Sequence, residues 1–214
     1  MAATGSVVDR LRDDILEGVL PPGERLIEVQ LSDRYGVGRA AIRSALVELD
    51  GEGLVRRETN RGATVRRITV TEAIEITEAR GVLEGLVARR AAERASEAER
   101  DELRALVAEM TVAVEADDKL RYSKLNRTLH AALRRIARHG VADDLVANLR
   151  NRSAHHQFRL AVIPGRAAES LAQHAAVVAA VTSGDADAAE QAMRSHLASV
   201  TDVLRQWEHF DTPA

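Results

Sequence analysis

Between Leu31 and Gly62 the chain reads LSDRYGVGRAAIRSALVELDGEGLVRRETNRG, and that order leaves few folds open. Leu31 to Tyr35 has the pattern of a short helix. Gly36-Val37-Gly38 makes a tight turn in which both glycines are expected to take positive φ. A second helix opens at Arg39 and ends near Gly53. A basic strand from Leu54 to Glu58 then runs into the hairpin tip Asn60-Arg61-Gly62 and a return strand, Ala63 to Arg67. Helix, turn, helix and basic hairpin is the layout of a winged helix-turn-helix, which sets its second helix in the major groove of duplex DNA.

The flanking residues complete one compact unit over residues 6–69. Val7, Val8, Leu11, Ile15 and Leu16 recur at helical spacing, and Gly18 with Pro21-Pro22-Gly23 stops that helix. Leu26 to Val29 reads as a short extended link. The net charge of −3 argues against a polyanion partner only at first sight. Residues 32–69 carry eight Arg against five acids, so the segment that would face DNA is cationic. Every cation there is Arg, which can read guanine bidentately as well as bind phosphate. Arg39 and Arg43 share one face of the second helix, opposite Ile42, Ala45, Leu46 and Leu49. Arg61 sits at the wing tip, and Gly62 lets the backbone approach the duplex closely.

From residue 71 onward the pattern is wholly helical, with Thr71 and Glu72 as the first helix start. Ser96 caps a second helix striped by Leu103, Leu106, Val107, Met110 and Val114. A third runs from Asp117 to Arg138, a fourth from Ala142 to Val162, a fifth from Ala167 to Thr182 and a sixth from Asp187 to about Phe210. About six amphipathic helices with short loops make an antiparallel all-α bundle over residues 71–210. The fold class is therefore mainly α. Aromatics are 2% of the residues, so Ala, Leu and Val must fill the core, which suits closely packed helices. Cysteine is absent, which excludes disulfides and thiolate metal sites. The acidic, polar start MAATGSVVDRLRDD is no signal peptide. The longest charge-free run, Ser170 to Gly184, is too short and polar to span a bilayer. These features lead to the expectation of a cytoplasmic protein with no membrane partner.

Three of the seven histidines stand out. Asn126 and His130 project one turn apart from the inward face of the third bundle helix. His174 lies in the fifth helix and His196 in the sixth, between Met193 and Leu197. One inward His from each of three helices is how bundle interiors build metal sites; a lone His of this kind is more often a satisfied core residue, and periodicity alone does not show that the three converge. A three-His site with open positions can also activate water, so a metal-dependent enzyme is the rival reading. Against it, no acid stands at the spacing of an H-E-x-x-H motif. A DNA-binding protein with an inactive pocket is a third reading.

The stretch from Ile15 to Val65 resembles the winged-helix domain of the GntR family of bacterial transcription regulators. It follows the pattern G-x-L-x-P-G-x-x-L…G-V-S-R-x-x-V-R-x-A-L-x-x-L-x-x-x-G-L-V…R-G nearly throughout. The resemblance implies that Arg39 and Arg43 contact bases or phosphates, with Arg61 and Gly62 as wing contacts. Arg34, Ala40, Arg57 and Asn60 join them as DNA-binding candidates. Gly38 stands where that family has Ser, Ala40 and Ala41 replace polar or Pro residues, and Ser44 replaces Glu, so fewer hydroxyls are left for phosphate. Residues 71–209 are similar to the helical FCD ligand-binding domain of the FadR-type subgroup, on Arg80-x-x-Leu83-Glu84, Asn126-x-x-x-His130 and the single His of the last two helices. This implies a divalent metal, zinc with nickel or manganese as alternatives, on Asn126, His130, His174 and His196. Since Asn is neutral, an effector carboxylate is expected to complete the coordination. Arg80 would clamp that carboxylate, or else pair with Glu84 one turn on. His156 is a further effector-pocket candidate. One winged helix covers too short a half-site for specificity, so a homodimer on an inverted-repeat operator is expected, with repression as the sign of control.

Overall fold

The computed structural model describes residues 6–58, 62–153 and 163–208. The chain divides between Ile68 and Thr69 into two compact units, and the first also takes a short segment that starts at Arg150. Among the described residues there are nine helices and one small sheet. None of those helices is long and apolar enough to cross a membrane.

The first unit begins with α1 (Val7–Leu16). Ser6 caps it: the Ser6 side chain accepts from the Asp9 N–H, and Asp9 accepts from the Ser6 N–H in return. The chain then forms β1 (Arg25–Leu26), α2 (Glu28–Tyr35), α3 (Arg39–Gly51), β2 (Val55–Glu58) and β3 (Gly62–Val65). The strands order as β1-β3-β2, all antiparallel, with Leu26 opposite Ala63 and Val55 opposite Val65. Leu11, Leu20, Leu26, Ile42, Leu46 and Leu49 form the centre of the core. The extended link expected over Leu26 to Val29 is shorter than periodicity suggested. Its first part pairs as a third strand, and α2 starts at Glu28, where an acid suits the positive end of a helix.

The turn between α2 and α3 needs positive φ at Gly36 alone (φ 66°), where the chain leaves α2 in the left-handed region. Gly38 has φ −66° and is an ordinary extended N-cap of α3, so the expectation for that glycine is corrected. Gly62 is constrained for a reason the sequence did not disclose. Its φ is 87°, and a Cβ there would lie 2.8 Å from the Leu26 carbonyl oxygen, so it is β1 that approaches it closely. Gly62→Ala should therefore destabilise the unit by more than about 1 kcal/mol, read as a fall in the denaturation midpoint. An unchanged midpoint would remove the steric argument.

The second unit contains α4 (Val70–Arg94), α5 (Glu97–Glu115), α6 (Lys119–Ala137), most of α7 (Gly140–Arg152), α8 (Arg166–Ser183) and α9 (Ala186–Glu208). Thr69, and not Thr71, caps α4, with its side chain accepting from the Glu72 N–H at 3.0 Å. Thr71 is left inside the first turn. Ser96 and Glu99 form a capping box on α5, and the Asp118 carboxylate accepts from the Arg121 N–H on α6. Such caps contribute about 1 kcal/mol each. α4 packs chiefly on α9 and α6, and α5 packs on α6 and α8. Leu103, Met110, Leu129, Leu133, Ile136, Val177, Val181 and Met193 fill the space between them. The fourth bundle helix was expected to run to Val162, but the residues past Ser153 in that span lie outside the described ones.

Candidate functional site

In the first unit α3 buries Ile42, Ala45, Leu46 and Leu49 and leaves Arg39, Ala40, Arg43, Ser44 and Val47 exposed. The Ser32 hydroxyl donates to the Val37 carbonyl and ties the turn to α2. Two of the predicted cations are engaged within the unit. The Arg43 guanidinium donates to both Glu28 oxygens, at 3.1 and 2.9 Å, and this exposed pair holds the Glu28 carboxyl below its ordinary range. Arg34 turns to Asp14 at 3.1 Å and lies over the Tyr35 ring. Arg39 and Arg57 are exposed, and the Arg57 backbone N–H donates to Asp50. Exposed ion pairs are weak and salt-screened, so a phosphate can take the place of Glu28 or Asp14. Asn60 and Arg61 lie outside the described residues.

In the second unit His130 on α6, His174 on α8 and His196 on α9 converge, which periodicity alone did not establish. One ring nitrogen from each lies within 4.8 Å of the others. The ring centroids are 4.3 to 5.8 Å apart. All three are buried. The opposite ring nitrogens face other partners. Glu84 on α4 takes the His130 Nδ1 at 2.6 Å, and since a carboxylate only accepts, that nitrogen carries a proton and Nε2 is the nitrogen turned to the other histidines. The Gln173 Oε1 likewise accepts from the His196 Nδ1 at 2.8 Å. The Tyr122 hydroxyl lies 3.5 Å from the His174 Nδ1. The His130 and His174 Nε2 atoms are 3.2 Å apart. Two nitrogens each roughly 2.1 Å from one ion would be separated by roughly 3 to 3.5 Å.

Burial, with His130 as a lesser cause, holds His196 well below its ordinary value, so its ring is neutral and able to donate a lone pair. Asn126 lies one turn before His130, and its Oδ1 is buried with no hydrogen-bond partner among the described residues. Such an orphaned acceptor is costly in a packed interior. Three imidazole nitrogens, together with the Asn126 amide oxygen one turn before His130, are donor types that a divalent cation takes once the rings are deprotonated.

Of the two effector candidates, Arg80 is buried and its Nε donates to the Glu84 Oε1 at 2.7 Å. The intrahelical pairing therefore holds, and the arginine is tied into an Arg80–Glu84–His130 chain. His156 lies outside the described residues. Sequence reasoning missed Tyr122, Gln173 and Arg166. Gln173 adjoins His174, but which histidine it would bond depends on how α8 and α9 pack.

Residues 3–65 match the model for bacterial regulatory proteins of the gntR family, and residues 75–199 match the FCD domain. The HTH-type transcriptional repressor RspR of Escherichia coli is 30% identical over 199 residues, covering 92% of this chain and 86% of that one. An HTH-type transcriptional regulator of Bacillus subtilis, YdhC, is 26% identical over 88% of this chain and 84% of its own. Among solved structures, E. coli McbR/YncC superposes with a TM-score of 0.83 at 22% identity, covering 94% of this chain and 96% of that one. With a DNA-reading unit, a helical unit with a buried polar centre, and relatives that are regulators and not enzymes, the chain belongs to the GntR family as a DNA-binding transcriptional regulator whose FCD domain takes a small-molecule effector.

Proposed function

We propose that the protein is a metabolite-responsive repressor. Residues 6–69 would read an inverted-repeat operator as a homodimer, and residues 71–210 would sense the effector and dimerise. Asn126, His130, His174 and His196 would hold a divalent ion, for which three imidazoles favour zinc, with nickel or manganese as alternatives. When bound, the ion supplies a Lewis-acidic positive charge for an oxygen of the effector. The observation that carries the reading is the outer ring of partners: Glu84, Gln173 and Tyr122 face the outward nitrogens of the three histidines, while the Asn126 oxygen has no hydrogen-bond partner among the described residues.

Imidazole and amide ligands bring no negative charge to a bound ion, and Arg80 offsets the charge of Glu84. The centre with its ion thus keeps an excess of positive charge, and a small organic acid is the fitting effector. Repression is supported by the relative that bears that name. Control then amounts to a coupling free energy between the effector pocket and the DNA-reading helix. The test is operator affinity, measured by gel shift of zinc-loaded protein on the DNA flanking its own gene, with and without citrate, malonate and lactate. A change of roughly fivefold or more with one of these acids supports the reading. No DNA binding, or affinity indifferent to metal and to every acid, overturns it in favour of an inactive pocket.

A further inference from the structure

We infer that Arg166, and not Arg80, anchors the anionic group of the effector beside the three-histidine centre. This rests on the effector reading above and assigns the ligand's carboxylate a residue that the sequence did not single out.

Arg166 is the first residue of α8 and only 5% exposed. Arg166, Ser170 and His174 follow at four-residue steps along the buried stripe of that helix, so the guanidinium shares a face with the histidine. Its NH1 donates to the Ser199 hydroxyl at 2.8 Å and lies 2.9 Å from Glu169. Ser199 stands one turn beyond His196 on α9, which fixes the guanidinium at the His196 side of the centre. The other terminal nitrogen, NH2, is buried with no hydrogen-bond partner among the described residues.

The two buried arginines differ in how their charge is met. Arg80 faces Glu84, which is itself only 2% exposed and is shared with His130. Its charge is therefore cancelled in place. Arg166 faces Glu169, whose side chain is 55% exposed, so solvent screens that partner. A buried guanidinium whose NH2 has no partner among the described residues, and whose counter-ion is screened, is one that an anion can satisfy. A carboxylate can accept from NH2 while the rest of the ligand reaches the histidines.

The test is calorimetric titration of the zinc-loaded full-length wild type, Arg166→Gln, Arg166→Lys and Arg80→Gln with citrate and with malonate, using neutral malonamide as control. Arg166→Gln is expected to lose at least roughly tenfold in affinity for the acid while keeping its zinc content, with Arg166→Lys between it and the wild type. Because an NH2 buried without a partner among the described residues costs stability, ligand-free Arg166→Gln is expected to melt no lower than wild type. A drop of several degrees would mark Arg166 as a structural tie to Ser199 and overturn the inference. Undiminished acid binding by Arg166→Gln would overturn it too and leave the effector reading standing. Wild type that binds neither acid overturns both.

Discussion

His174→Ala is expected to empty the three-histidine centre. The wild type should carry about one divalent ion per chain, and the variant close to none, by elemental analysis of untagged protein. His174 is fully buried, its Nε2 is 3.2 Å from that of His130, and its ring is the nearer neighbour of His196. No other donor among the described residues stands ready to replace it. An ion at 100 times its dissociation constant stabilises the fold by about 2.7 kcal/mol, so a chelator should lower the wild-type melting temperature by roughly 5 to 10 °C. In His174→Ala the chelator should have no effect. The difference between loaded and chelated protein separates loss of metal from the packing defect left by the missing ring. A wild type that melts at the same temperature with and without chelator would sink the metal reading. Gln173→Ala leaves the donor set intact and removes only the acceptor that orients His196, so it should cost roughly 10- to 100-fold in metal affinity without abolishing uptake.

The contrast between these residues shows what a sequence discloses. Period-3.6 stripes gave the buried faces of α3, α5 and α6, because burial of one face is a property local to a helix. They did not give the convergence of His130 with His174, which are 44 residues apart and meet only through packing. Arg166 was invisible for a similar reason. An arginine in the first turn of a helix reads as a solvated charge, and its burial depends on the last helix bringing Ser199 to it. Glycines were legible as turns but not as to cause. Gly36 needs its positive φ and Gly38 does not, while Gly62 answers to the Leu26 carbonyl of a strand too short to be seen in the sequence. Thr71 lost its capping role to Thr69 because helix ends are the least determined feature of a periodic pattern.

Arg39→Ala and Arg43→Ala should each lower operator affinity by roughly tenfold or more, and the double variant should approach non-specific binding. The reason lies in the face they share. α3 spends its apolar side on the core, and of the residues it leaves in solvent, which include Ala40, Ala41, Ser44, Val47 and Glu48, only Arg39 and Arg43 can donate bidentately to a base. Gly38 supplies no hydroxyl at the helix start, so the load on the guanidinium groups rises. Arg43 has a competitor in Glu28, whose two oxygens it must leave before reaching DNA. Glu28→Gln should therefore strengthen operator binding modestly in wild type and have no effect once Arg43 is Ala. That dependence is specific to exchange of one anion for another, and a general change in surface charge would not show it. Salt titration gives a second reading: a lost phosphate contact reduces the slope of log affinity against log salt by about one, whereas a lost base contact relaxes sequence preference. If both single variants hold operator affinity within about twofold of wild type, α3 is not the element that reads the groove, and the wing must carry the specificity instead.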